Sequence, residues 1–122
     1  MAWIQGQPAA GRVQMVLDKA SSGRLELWIS MINVGEIYYL LAKRLSVERA
    51  EDFLKQFPSL PIRSIVPDES EIIDAARLKG RYRISYADSF AASLAIQQRA
   101  PLITGDPDFQ RISKIVDLAW IG

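Results

Sequence analysis

Apolar residues recur along this chain at two different spacings, and the switches between them outline a fold. After Pro8 and Gly11, Val13, Val16 and Leu17 share one helical face, which predicts a helix to about Ser21 with Gly23 as its stop. "LELWIS", Leu25 to Ser30, reads as a strand. Helical spacing returns at Ile37, Leu40 and Leu41 and predicts a helix from about Asn33 to Arg44. Ser46 then caps a helix to about Phe57, with Phe53, Leu54 and Phe57 facing inward, and Pro58 and Pro61 bracket a turn. "IRSIV", Ile62 to Val66, is the next strand. Asp68 and Glu71 form a D-x-x-E box that opens a helix to about Lys79, where Gly80 is a natural stop. Ser85 opens the longest clear helix, to about Arg99. A short strand follows at Leu102 to Thr104, then a turn in "DPDFQRI" and a weaker last strand in "KIVDLAW".

Strands alternating with helices predict one α/β domain over the 122 residues, with a mostly parallel sheet. In such sheets, sites form beyond the carboxyl ends of the strands. That rule selects three acids. Glu36 lies in the helix after the first visible strand, Asp106 lies directly after the "LIT" strand, and Asp88 lies in the first turn of the helix leading into it.

Each acid also has an ordinary explanation. Asn33 with Glu36 and Ser85 with Asp88 fit helix-capping patterns, and Asp106 before Pro107 is common turn chemistry. Taken together they say more, because the topology would bring all three to one edge of one sheet. Two carboxylates about 5 Å apart repel by roughly 3 kcal/mol at an effective dielectric of 20. Mg²⁺ or Mn²⁺, which prefer oxygen ligands, would relieve that repulsion.

Composition narrows the chemistry. The chain has no Cys and no His, which removes disulfides, thiol nucleophiles, Cys or His metal ligands and histidine acid–base catalysis. Carboxylates with a hard cation are the usual way to activate water against a phosphodiester without histidine. The net charge of +1 gives no global attraction to nucleic acid, so such contact needs a local basic patch. "RLKGRYR" offers one: Arg77, Lys79, Arg81 and Arg83 form either a solvated helix end or a phosphate-guiding rim. Tyr38 and Tyr39 suit partial burial against a helix or a second subunit better than base stacking, and Trp3, Trp28 and Trp120 suit a core or an interface. No apolar run is long enough for a membrane helix, and the N-terminus lacks a signal-peptide pattern, so a cytoplasmic protein is expected.

Three segments, "ISMINVGEIYYLLAKR", "ISYADSFAASLAI" and "PLITGDPDF", stand in the order and spacing of the PIN domain, and the chain resembles its VapC-type toxin ribonucleases. The resemblance covers nearly the whole chain and implies a three-layer α/β sandwich. It implies that Glu36, Asp88 and Asp106 hold a divalent cation, Mg²⁺ or Mn²⁺, with Thr104 as the hydroxyl before the last acid and Asp108 as a further acid of the metal shell or the turn. It also implies RNA cleavage by metal-activated water, inhibition by a cognate antitoxin and homodimer formation. One element departs from the pattern. The family begins with a strand ending in an aspartate, D-[TS]-[SN], and "MAWIQGQP" matches instead the tail of the helix after it. The expectation is therefore a sheet lacking its first central strand, between Leu25–Ser30 and Leu102–Thr104, and a metal site lacking one acid. Asp18, inside a helix, does not replace it. The rival expectation is a catalytically silent module that binds an antitoxin, itself or RNA; a more distant one is a carboxylate-metal phosphohydrolase on a similar sheet.

Overall fold

The computed structural model describes residues 7–120, with side chains from Gln14 onward. The readings made for Trp3, for "MAWIQG" and for the inward face of Val13 lie outside that description. Helix α1, Gln7–Ser21, ends as its glycine predicts. Gly23 takes φ +79°, its N–H donates to Ala20 O (3.2 Å), and Arg24 N–H donates to Lys19 O (2.8 Å). Those two bonds form a Schellman motif, with the glycine in the left-handed position that a Cβ disfavours.

Strand β1, Leu27–Ser30, leads directly into α2, Met31–Arg44. Ser30 is the cap, and its hydroxyl accepts from Ile32 N–H (3.3 Å). The predicted start at Asn33 was therefore late, and Asn33 lies inside the helix. Ser46 caps α3, Val47–Gln56, by accepting from Arg49 N–H (3.1 Å). Phe53 and Phe57 are buried as expected, with rings 5.6 Å apart, whereas Leu54 is exposed. A short 3₁₀ turn, Phe57–Ser59, precedes β2, Ile62–Ile65.

Asp68 caps α4, Glu69–Arg81, accepting from Glu71 N–H at 2.8 Å. This helix runs through Gly80, which does not stop it. Tyr82 N–H still bonds Leu78 O, and both residues pack on the core, so the helical register is held from either side. Ser85 caps α5, Tyr86–Gln98, and Arg99 ends it in the left-handed conformation. Strand β3, Leu102–Thr104, is followed by a 3₁₀ segment, Pro107–Ile112, and by β4, Leu118–Trp120.

Both strand pairs are parallel. β1 pairs with β2 (Leu27 with Ile62, Ser30 with Ile65), and β3 pairs with β4 (Leu102 with Leu118, Thr104 with Trp120). Among the described residues they are two two-stranded sheets rather than one. Each has its own core. Ile29, Val34, Ile37, Phe53 and Phe57 pack around β1, and Ile84, Ala92, Ala95, Phe109, Ile112 and Val116 pack around β3. Helix α5 touches both strands and joins the halves. Between β1 and β3 runs a groove of about 390 Å³, walled by residues of both strands, by Val16 and Leu17 of α1 and by Ala91 and Ala95 of α5. It lies where the resemblance put the absent central strand. No described helix is long and apolar enough to cross a membrane.

Candidate functional site

Glu36 stands on α2, six residues after the cap, so capping does not account for it. It is half-buried and lines the groove with Asn33 and Asp88. Burial pushes its carboxyl above the ordinary range; the charge of Asp88 raises it further, and Asp106 adds a smaller push. Asp88, in the first turn of α5, donates its N–H to the Ser85 hydroxyl (3.1 Å), so here the capping pattern is real. Its carboxyl is also raised, chiefly by burial. A hydrogen bond with Ser85 opposes the shift, and the charges of Asp106 and Asp108 reinforce it.

Asp106 follows β3 and is built into a turn. Its N–H donates to Thr104 Oγ1 (3.0 Å), and its Oδ1 accepts from Asp108 N–H (2.9 Å), capping the 3₁₀ segment that begins at Pro107. Thr104 is buried and also lines the groove. Asp108 is exposed and faces Arg111, whose Nη2 lies 3.5 Å from its Oδ1. The other Arg111 nitrogen, Nη1, donates to Arg83 O at 2.7 Å and ties this turn to the segment before α5.

The three acids therefore feel one another's charge, but from two sheets: Glu36 follows β1 and Asp106 follows β3. The expected single sheet edge is replaced by the ends of two separate sheets flanking the groove. Among the described residues, no group of three acidic side chains is arranged to hold a metal ion. What fits a hard cation is the chemistry of the donor set, three oxygen-bearing side chains, Glu36, Asp88 and Asp106. Arg77, Lys79, Arg81 and Arg83 are all exposed around the end of α4, and Arg77 pairs with Asp74 at 2.8 Å. Tyr38 bonds Glu51 through its hydroxyl (3.0 Å), while Tyr39 is exposed. Trp28 is partly buried with its Nε1 unpartnered, and Trp120 is exposed.

Two residues escaped the sequence. Arg111 left only the local D-x-x-R pattern with Asp108, three residues before it; its other partner, Arg83 O, is brought to it by the fold. Asn33 left a misleading one, since N-x-x-E resembles a helix start; the Ser30 hydroxyl directly after an apolar strand was the better sign.

The PIN domain family profile matches residues 1–115. The chain belongs to the PIN domain family. No curated protein matches it. Among solved structures it is similar to a chain of VapBC2 from Rickettsia felis bound to a DNA fragment from their promoter, with 22% identity and a TM-score of 0.67. The match covers 97% of this chain and 90% of that one, and it supports the PIN fold. The α/β architecture with parallel strands expected from the sequence is thus the architecture of the family.

Proposed function

We propose that this PIN domain is an endoribonuclease of the VapC type that hydrolyses RNA phosphodiesters in the cytoplasm with Mg²⁺ or Mn²⁺, under the control of a cognate antitoxin. The observation that carries the reading is that Glu36 and Asp88 line one groove, both with carboxyls raised by burial and by neighbouring carboxylates, Asp106 among them. Carboxylates that raise one another this way favour a site that takes up positive charge. Glu36, Asp88 and Asp106 would hold the cation, and Asp108 would support them from the next turn. When bound, the cation supplies Lewis-acid stabilisation and activation of water at phosphorus. Thr104 fixes the Asp106 backbone, which leaves one carboxylate oxygen, Oδ2, outside the turn's own hydrogen bond. Arg77, Lys79, Arg81 and Arg83 would guide the RNA backbone as point charges, without reading sequence.

Turnover is proposed to be slow in this chain. Glu36, on the helix after β1, and Asp106, directly after β3, follow strands of two sheets that no described strand joins, and a misplacement of about 1 Å can cost on the order of a hundredfold in rate. The second reading, a silent binding module, is favoured by the largely apolar groove between β1 and β3. One assay separates them. The chain is incubated with mixed RNA and Mn²⁺ beside its Asp88→Asn variant. Metal-dependent cleavage that the variant loses supports the nuclease. Cleavage that survives the substitution, or none even at high enzyme and metal, supports the binding module.

A further inference from the structure

Asn33 is 4% exposed, so its amide has left water almost completely. Its Nδ2 donates to Ala87 O across 2.9 Å, joining two helices 54 residues apart in sequence. That bond also fixes the amide's orientation, because the reverse would set two oxygens against each other. The partner carbonyl belongs to the residue just before Asp88. Asn33 itself stands one turn before Glu36, on the same face of α2. The single bond therefore runs between the first turns of the two helices that carry these acids.

The other end of the amide is unusual. Oδ1 is buried without a hydrogen-bond partner among the described residues, in a residue that lines the groove with Glu36 and Asp88. Leaving such a buried acceptor unpaired destabilises the fold, a penalty that leucine, of similar size, would avoid. What asparagine gains against that penalty is the one bond through Nδ2 that ties α2 to α5.

We infer that Asn33 is a positioning residue: its amide clamps α2 to α5 and sets the spacing of the Glu36 and Asp88 carboxylates for a cation. The inference rests on the metal-dependent reading above. The bond it invokes exists without metal, so the clamp can be tested apart from that reading. Partners that orient metal-binding side chains typically change affinity by 10–100-fold when removed.

The test uses the full chain and two readouts. Calorimetric titration with Mn²⁺ gives affinity without any turnover. Amide hydrogen exchange at Asp88 and Ser89, in EDTA, reports the clamp itself. Asn33→Leu should weaken Mn²⁺ binding at least tenfold and raise exchange at both amides, with the thermal midpoint shifted by only a few degrees. Ser89→Ala is the control, because Ser89 is fully buried on the same helix but bonds only Tyr86 O, within its own turn. An equal loss of Mn²⁺ affinity in Ser89→Ala, or unchanged affinity and exchange in Asn33→Leu, overturns the inference. If Asn33→Leu does not fold, Asn33→Ser carries the same test, since its hydroxyl is too short to reach Ala87 O. If the parent chain binds no Mn²⁺, the metal reading fails, the carboxylate-spacing role fails with it, and exchange alone decides whether the clamp exists.

Discussion

Glu36 and Asp88 are held above their ordinary values of 4.5 and 3.8, by burial first and by neighbouring carboxylates second. The folded state therefore binds their protons more tightly than the unfolded chain does. Their favourable contribution is complete below the ordinary values and is lost as pH rises through the raised folded ones. Above those raised values the charges are present, and the repulsion acts against the fold. Asp88→Asn should remove it. In EDTA at pH 7 the variant should unfold higher than the parent, by up to about 1 kcal/mol or ~4 °C, a modest figure because solvent screens a half-exposed site. The gain should disappear below the ordinary value of 3.8. Thermal unfolding across that pH range is the measurement, and a variant less stable than the parent at pH 7 would refute the argument. The sequence made these acids visible for mixed reasons. Asp88 and Asp106 do serve in a cap and a turn, as their local patterns indicated. Glu36 does not, and only the placement of the cap at Ser30 removed its ordinary explanation.

Helix ends separate what the sequence encodes locally from what packing decides. Ser46 and Asp68 cap where the pattern put them, because a side-chain oxygen meeting an N–H three residues on needs nothing from the rest of the chain. Gly80 misled, because a glycine marks a stop only where the backbone turns left-handed, and at Gly80 it stays helical. The two glycines should thus respond oppositely to alanine. At Gly80 an added Cβ meets nothing within 4 Å, so Gly80→Ala should stabilise by about 0.5–1 kcal/mol through a less flexible unfolded chain. Gly23 also has open space, but its φ of +79° makes Gly23→Ala destabilising by roughly 1 kcal/mol. Urea titration of both variants checks the pair, and a shared sign would show that the helix ends are set by something other than backbone conformation.

At the scale of the whole molecule, α5 bridges two small cores whose sheets, among the described residues, share no strand pairing, and the alternation of strand and helix could not reveal this. Strand periodicity gives direction and burial; which strands pair depends on every other strand available to them. Apolar surface is left along the groove, and exposed apolar residues also gather on α2 and α3. There, Tyr39 is 54% exposed, Leu45 and Val47 are each 61% exposed, and Leu54 is exposed as well. Single exposed apolar residues are ordinary, but several on two helices that pack on each other suit an interaction surface. The expected partner is a second copy of the chain. Sedimentation velocity at micromolar concentration should give a dimer, and Leu45→Glu with Val47→Glu should shift it toward monomer. Since both side chains already face water, the double variant should keep its unfolding temperature within a few degrees. That combination distinguishes a lost interface from a damaged fold. A parent chain that is already monomeric at these concentrations would refute self-association, and a dimer indifferent to both charges would move the interface to the groove, where the free edges of β1 and β3 offer the other uncovered surface.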